Sequence, residues 1–250
     1  MNLLISRILA YLNGTLIYDD YYRFCIYIVY HFPMCEDITK QNMIDSGIKE
    51  ESIDQFCKLL GVDNFSGFQK ELIDSYLLRV NQIRTRLFDM RCPIMVERLV
   101  QNCQNENLEE ELEQIYTAIY HSKRIILIGA MYPMSIGVEL QTDLITCGKI
   151  VLNYNDYDPD MVLHKDDVVI FVSATGRSMA ECLKAQNEVS LKQITSILVT
   201  QNKMYMLEEF KNTTHTICVS GRYDGVEFNY HLMNFFDVLR IQYYQHYYIN

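Results

Sequence analysis

Short, continuously apolar runs alternate with amphipathic stretches from residue 124 onward. The apolar runs are RIILIG, KIVLNY, DDVVIFVS, ITSILVT and THTICVS, and the longest amphipathic stretches between them are SIGVELQTDLITCG and RSMAECLKAQNEVS. β-Branched runs of this length are typical of strands that are buried on both faces, as in parallel sheets covered by helices. The pattern therefore predicts an α/β domain with a parallel sheet flanked by helices.

The first 90 residues have a different hydropathy pattern, because their apolar residues recur at helical spacing. In GFQKELIDSYLLRVNQIRTRLF this three-and-four spacing is carried by Leu72, Ile73, Tyr76, Leu77, Val80, Ile83 and Leu87. Such spacing is typical of an amphipathic helix. We expect an all-α domain over residues 1–90, a linker over residues 91–106 and the α/β domain over residues 107–250. Within the linker, the polar segment QNCQNEN is the expected hinge.

Composition limits the functions that the chain can have. The net charge of −10 argues against non-specific nucleic-acid binding, which usually needs a basic face. The eight cysteines are at least ten residues apart, which excludes a CxxC metal or redox site and favours reduced, buried thiols. No Cys/His cluster, GxGxxG sequence or Walker sequence is present, so we expect neither a metal nor a cofactor.

We expect a cytoplasmic protein without a membrane segment. No run reaches the roughly 18 consecutive apolar residues that a spanning helix needs. The N-terminal stretch MNLLISRILAYLNG does not have the pattern of a signal peptide, because its only cation, Arg7, lies inside the apolar stretch and no small-residue cleavage site follows.

The segment VVIFVSATGRSM places a cluster of hydroxyl side chains directly after an apolar strand. Ser173, Thr175 and Ser178 surround Gly176 where the next helix is expected to begin. A helix N-terminus leaves backbone N–H groups unpaired and attracts anions, so this turn is a candidate phosphate site. The alternative is that Ser178 only caps the helix and Gly176 only turns the chain. The spacing alone leaves both interpretations open.

This segment resembles the phosphosugar-binding loop of the SIS (sugar isomerase) domain, a strand followed by Ser-x-Ser/Thr-Gly-x-Ser/Thr. RIILIGAMYPMSIGVELQTDLITCGKIV is similar to the first strand, loop and helix of that domain, and ITSILVTQN falls at its fourth strand. The resemblance implies a flavodoxin-like fold that binds a sugar phosphate. The residues that it implies for the phosphosugar site are Ser173, Thr175, Gly176, Ser178, Gly129 and Ser135.

The N-terminal half resembles the helix-turn-helix of RpiR-type transcriptional regulators. The matching stretch is DITKQNMIDSGIKEESIDQFCKLLGVDNFSGFQKEL, which contains the segment Leu60, Gly61, Phe65, Gly67 and Phe68. Together the two resemblances cover about residues 1–245. They imply a non-enzymatic regulator that binds operator DNA as a homodimer or larger homo-oligomer. The supporting helix would span residues 38–45 and the recognition helix residues 50–60. The implied DNA contacts are Lys49, Glu51, Ser52, Gln55 and Lys58.

Two positions depart from these family patterns. In the first SIS loop, Pro133 replaces a serine that normally helps to hold the phosphate, and proline offers neither a hydroxyl nor an N–H. Ser135 either takes over part of this role or caps its helix, and we favour capping. The recognition helix is acidic, since residues 37–71 carry seven carboxylates against four lysines. Carboxylates near the DNA backbone oppose binding, so a module with weakened DNA or sugar binding that serves assembly is an alternative.

A sugar-phosphate isomerase of the SIS type is the rival function. Glu227 and His231 are four residues apart, so on a helix both side chains face the same way. Such a pair can move a proton between sugar carbons. We favour the alternative that the two residues form an incidental pair on the surface of the C-terminal helix.

Overall fold

The computed structural model describes residues 3–185, 193–223 and 225–248 of the 250-residue chain. The chain forms two compact units. The helical unit comprises residues 1–86, 142–150 and 155–161, and the sheet unit comprises residues 87–141, 151–154 and 162–250. Within the described ranges, no helix combines the length and the apolar character that crossing a bilayer requires.

Regular structure between residues 3 and 90 is entirely helical in the described part of the chain. The elements are α1 (Leu4–Gly14), α2 (Asp20–His31), a 3₁₀ turn (Phe32–Asp37), α3 (Lys40–Asp45), α4 (Glu50–Leu59) and α5 (Phe65–Leu87). Asp19 caps α2 by accepting from the Tyr22 N–H at 2.8 Å, and Thr39 caps α3. The unit packs around Phe24, whose ring lies 5.0 Å from that of Phe56 and 5.1 Å from that of Phe68.

The prediction of a parallel sheet flanked by helices is confirmed. After α6 (Cys92–Gln101) and α7 (Leu108–His121), the strands are β1 (Arg124–Gly129), β2 (Ile150–Asn153), β3 (Asp167–Val172), β4 (Thr195–Thr200) and β5 (His215–Cys218). The remaining helices are α8 (Met131–Ile136), α9 (Val138–Thr146), α10 (Arg177–Ala185) and α11 (Val226–Tyr243). The strand order is β2-β1-β3-β4-β5. Pairing is parallel from β1 through β5, and β3 is buried along its whole length.

The segment QNCQNEN, expected as a hinge, runs along β5. The Gln104 N–H donates to Cys218 O at 2.8 Å, and the Ser220 N–H donates to Asn102 O at 2.7 Å. The Asn105 side chain imitates a peptide group, since it donates to Thr216 O at 2.6 Å and accepts from the Cys218 N–H at 3.0 Å. These bonds satisfy the unpaired backbone groups of an edge strand.

Glu111 fixes the same segment from α7. Burial raises the pKa of its carboxyl, but hydrogen bonds from His215, from the Thr216 N–H and from Asn105 outweigh burial and lower that pKa overall. The carboxylate accepts from Asn105 Nδ2 at 2.7 Å. The polar amides that suggested a hinge therefore bind the β5 edge.

Candidate anion-binding site

Three loops meet at the carboxyl edge of the sheet. The registers Val172↔Val199 and Thr200↔Cys218 align the ends of β3, β4 and β5. The segments at these ends are the β3 loop (residues 173–176), the β4 extension (residues 200–205, beginning with the last residue of β4) and the β5 loop (residues 219–223). Because ligands of open α/β sheets bind beyond the carboxyl ends of the strands, this edge is the expected place for a site.

The β3 loop brings four of the predicted site residues together. Ser173 Oγ accepts from the Ser178 N–H at 3.2 Å and so stabilises the start of α10. Thr175 Oγ1 lies 3.4 Å from the Arg177 N. Gly176 has φ +80°, a left-handed conformation that favours glycine. Its N–H donates to Ser173 O at 3.0 Å, which closes the turn.

The β4 extension binds the carbonyl groups of the β3 loop. Ala174 O accepts from Thr200 Oγ1 at 3.0 Å and from the Gln201 N–H at 2.9 Å. Thr175 O accepts from Asn202 Nδ2 at 3.1 Å. The sequence did not identify Asn202 as a site residue, because its role depends on the β3–β4 register. These bonds hold the acceptors of the β3 loop toward β4.

Tyr205 packs on Gly176. A Cβ atom at Gly176 would overlap the Tyr205 ring, so a side chain is excluded there by space as well as by backbone conformation. The Tyr205 hydroxyl lies 3.5 Å from Gly176 O. Gly176 therefore does more than turn the chain, since it allows an aromatic ring of the β4 extension to lie against the loop.

Several hydrogen-bond donors of the β3 loop and α10 have no partner among the described residues. They are the backbone N–H groups of Ala174, Thr175 and Met179 and the hydroxyl of Ser178. The first turn of α10 contains no acidic residue. Unpaired N–H groups at a helix N-terminus carry partial positive charge and bind phosphate or carboxylate groups.

A cation follows each of the three strands at this edge. Arg177, Lys203 and Arg222 are exposed and form no ion pair with any described residue. The carboxylate of Glu227 lies at the same edge, where it opposes these three cations, so the edge is more favourable for an anionic ligand than the net charge of −10 for the whole chain indicates.

The loop after β1 offers less to an anion. A Cβ at Gly129 would lie 2.7 Å from Val172 O and 2.9 Å from Met134 Sδ, so the glycine is required for close packing against β3. Pro133 lies in the first turn of α8, where a missing N–H costs little. Ser135 is an exposed residue in the second turn of α8, and the N-cap is Ala130. Ser135 is therefore not the N-cap of α8, and its capping of the following helix, α9, stays a prediction.

Two of the predicted DNA contacts on α4 are engaged by α2. Ser52 Oγ donates to Asp20 Oδ2 at 2.8 Å, and Gln55 Oε1 accepts from the Tyr21 hydroxyl at 3.0 Å. Lys49, Glu51 and Lys58 are exposed. The exposed side chains of Lys49 and Lys58 are therefore accessible to a DNA backbone, whereas the Gln55 side chain already has a protein partner.

Lys40 of α3 adds no free positive charge to this surface. Its Nζ lies 3.0 Å from Glu50 Oε1 and 2.9 Å from Asp54 Oδ2. The hydrogen bonds to Asp54 and to Glu50 raise the pKa of Lys40, so its charge stays committed to these two carboxylates. The acidity of the sequence thus persists on the folded surface of α3 and α4.

Glu227 lies near the β5 loop, and His231 follows one turn later on α11. A Cβ at Gly221 would lie 3.1 Å from Glu227 Oε2, which places this carboxylate next to the carboxyl end of β5. Glu227 is exposed and His231 is half-buried.

Residues 118–226 match the family model described as "SIS domain". This range contains β1 through β5 and the β3 loop, so the chain contains an SIS domain, as the resemblance implied. No curated protein matches the chain.

Several solved structures are similar to the chain. The Vibrio vulnificus NanR protein complexed with ManNAc-6P is 14% identical with a TM-score of 0.47, covering 98% of this chain and 93% of that chain. The sugar isomerase domain of an RpiR transcription factor from Sphaerobacter thermophilus is 14% identical with a TM-score of 0.44, covering 65% and 90%. A hypothetical protein from Methanococcus jannaschii, for which a 3-hexulose-6-phosphate isomerase function was inferred, is 15% identical with a TM-score of 0.44, covering 62% and 85%. At these TM-scores the similarities carry no argument about function.

Proposed function

We propose that this protein binds a phosphorylated sugar at the β3 loop of its SIS domain. The observation that carries the proposal is the set of unpartnered donors on the β3 loop and α10, with Arg177, Lys203 and Arg222 at the same edge. A phosphate group accepts several hydrogen bonds at once, and charge-assisted bonds are the strong ones. Ser178 Oγ and the N–H groups of Thr175 and Met179 would bind the phosphate oxygens.

A thermal-shift panel tests the sugar-phosphate proposal. We expect at least one aldose or ketose phosphate to raise the melting temperature more than inorganic phosphate does at equal concentration, because binding to the folded state adds to stability. No stabilisation by any member would reject the proposal. Equal stabilisation by inorganic phosphate would reduce the β3 loop to a general anion site.

We propose that the biological role of the protein is transcriptional regulation in the cytoplasm. Helices α3 and α4 would bind operator DNA. Support comes from the order of the chain, in which two consecutive short helices precede the SIS domain. Lys49 and Lys58 would contact DNA phosphates, and Gln55 would have to exchange its Tyr21 partner for a base. With Glu50 and Glu51 in the first turn of α4, the affinity would be modest.

Homo-oligomerisation would link ligand binding to DNA binding. Helix α5 exposes Leu77 and Leu78, of which Leu77 is 59% exposed, and these side chains would contribute to a contact between copies. A ligand that favours one arrangement of the paired helical units would change operator affinity through a coupling free energy.

Fluorescence anisotropy with DNA from the protein's own promoter region tests the regulator. We expect binding that weakens as salt rises, and we expect Lys58→Ala to weaken it and to lower the magnitude of the salt slope by about one. Binding that is absent with and without sugar phosphates would reject the DNA-binding role and leave assembly as the function of the helical unit.

Sugar-phosphate isomerisation is the second candidate function, and the position of Glu227 favours it. The carboxylate lies at the carboxyl edge of β5, where it would reach a sugar bound by its phosphate at the β3 loop. There it would serve as the base and His231 as its proton partner. Turnover of an aldose or ketose phosphate that disappears in Glu227→Gln would establish this function.

A further inference from the structure

Gln201 carries a buried acceptor atom that the fold does not use. It is the first residue after β4, and it is 3% exposed. Its Nε2 donates to Ser220 O at 2.9 Å, whereas Oε1 is buried and has no hydrogen-bond partner in the described part of the chain. A buried acceptor without a partner costs stability, and most such groups in native proteins are satisfied.

Gly221 fixes the orientation of this amide. A Cβ at Gly221 would overlap Gln201 Nε2, and the residue has φ +134°. The glycine therefore allows the β5 loop to lie directly on the Gln201 side chain. Because Nε2 is committed to Ser220 O, Oε1 remains the free end of the amide.

The backbone of Gln201 is hydrogen-bonded to the β3 loop, so the residue that carries this acceptor lies next to that loop. The Gln201 N–H donates to Ala174 O at 2.9 Å, and the next residue, Asn202, donates through its side chain to Thr175 O. The side chain itself extends to the β5 loop. A sugar whose phosphate occupies the β3 loop therefore has Gln201 at its neighbouring strand end.

We propose that Gln201 Oε1 accepts a hydrogen bond from a hydroxyl group of the bound sugar phosphate. This inference rests on the proposed sugar-phosphate site. It assigns to Gln201 the discrimination between a polyhydroxylated phosphate and a phosphate without hydroxyls. A site that is built to pair with a ligand hydroxyl rejects ligands that lack it, because the acceptor is then left unpaired.

On this inference, the ligand displaces the part of the β5 loop that lies on the Gln201 side chain at Gly221. Gly221, Arg222 and Tyr223 are exposed, and Tyr223 has φ +64°, an uncommon conformation for a residue with a side chain. Conformations of this kind store strain and are concentrated at ligand-binding segments. Residues 221–223 would move, while Val219 keeps its bond to Thr200 O and Ser220 O keeps its bond to Gln201 Nε2.

The test is isothermal titration of the full chain with glucose 6-phosphate, fructose 6-phosphate, ethyl phosphate and inorganic phosphate. We expect the wild type to bind at least one sugar phosphate about tenfold more tightly than ethyl phosphate. We expect Gln201→Met, which keeps the length of the side chain and removes both the Oε1 acceptor and the Nε2 donor to Ser220 O, to lose most of this preference. Its affinity for ethyl phosphate and inorganic phosphate should change by less than about twofold.

Ser178→Ala is the matched control, because its hydroxyl belongs to the phosphate part of the site. This variant should weaken all of the phosphates by a similar factor and leave the preference for sugar phosphate unchanged. A preference that survives Gln201→Met would overturn the inference while leaving the sugar-phosphate site standing. If Gln201→Met does not fold, the wild-type titration tests the inference. Equal affinities of the wild type for ethyl phosphate and both sugar phosphates would overturn the role of Gln201. Absence of binding by every phosphate would instead reject the site itself.

Discussion

Helix α4 was predicted to contact DNA and the N-terminus of α10 to bind a phosphate group, and the fold equips the two helix N-termini in opposite ways. The first turn of α4 carries Glu50 and Glu51, whereas the first turn of α10 carries no acid. Ser52 of α4 donates to Asp20, whereas Ser178 of α10 has no partner for its hydroxyl among the described residues. Both helices present the positive end of a helix dipole at this terminus.

The difference lies in how far the surroundings of each helix N-terminus leave its donors available to an anion. At α10, the β4 extension binds the carbonyl groups of the β3 loop and leaves the N–H groups to a ligand. At α4, residues of α2 and α3 engage the polar side chains, and carboxylates occupy the end of the helix. We therefore expect sugar-phosphate binding to be the stronger of the two functions.

The largest effect should come from Gly176→Ala, which disrupts the β3 loop before α10. The new Cβ would overlap Tyr205 and strain a backbone with φ +80°. We expect a loss of more than about 2 kcal/mol in the free energy of unfolding, together with loss of sugar-phosphate binding. Urea denaturation and isothermal titration measure the two effects.

Gly148→Ala is the control for Gly176→Ala. Gly148 has φ +90°, but a Cβ there meets no atom within 4 Å. This variant should lose only about 1 kcal/mol and keep ligand binding. Equal effects of the two substitutions would show that backbone strain alone, rather than the contact with Tyr205, governs the loop.

The next largest effects distinguish the roles of Ser173 and Ser178 in the anion site. Ser173→Ala removes the acceptor of the Ser178 N–H, so it should cost about 1 kcal/mol of stability, as loss of a helix cap does. Ser178→Ala should change stability by less than about 0.5 kcal/mol and weaken sugar-phosphate binding about fivefold. Denaturation and titration of the two variants should therefore rank them in opposite orders. The same order in both measurements would contradict the separate roles.

A smaller effect tests the acidity of α4. Glu51→Gln removes an exposed carboxylate from its first turn, so it should raise affinity for promoter DNA about two- to fivefold at low salt. The loss of a favourable charge at the helix N-terminus should cost about 0.3–1 kcal/mol of stability. Anisotropy titrations at two salt concentrations measure the gain, and an unchanged affinity would show that α4 does not face the DNA.

The smallest effect should come from Tyr21→Phe, which releases Gln55 from its hydroxyl partner. Stability should fall by less than about 1 kcal/mol, because the bond is exposed. The selectivity of the protein among DNA sequences should change while its salt dependence stays the same. Unaltered selectivity would mean that Gln55 does not read bases.

The sheet and the β3 loop were predictable because their signals are local. Five apolar runs and the stretch SATGRS sufficed to place a hydroxyl cluster after a buried strand. The roles of Asn202 and Tyr205 were not predictable, since they depend on the pairing of β3 with β4 across an intervening helix. The engagement of Ser52 by Asp20 joins residues that are far apart in the sequence, and helical spacing alone gave no sign of it.

The segment QNCQNEN also has a role that depends on residues distant in the sequence. Its amides have the composition of a flexible linker, and they bind an edge strand because Asn105 can imitate a peptide group. Ser135 was expected to cap its helix, whereas α8 begins at Met131 and has Ala130 at its N-cap. For QNCQNEN the residue types were interpreted correctly as polar, and the neighbouring strand decided their role.

The most direct test is a crystal structure of the full chain with the sugar phosphate that binds most tightly in the titration panel. We expect the phosphate oxygens to lie within hydrogen-bond distance of Ser178 Oγ and of the N–H groups of Thr175 and Met179. A phosphate bound elsewhere, with the β3 loop unoccupied, would contradict it.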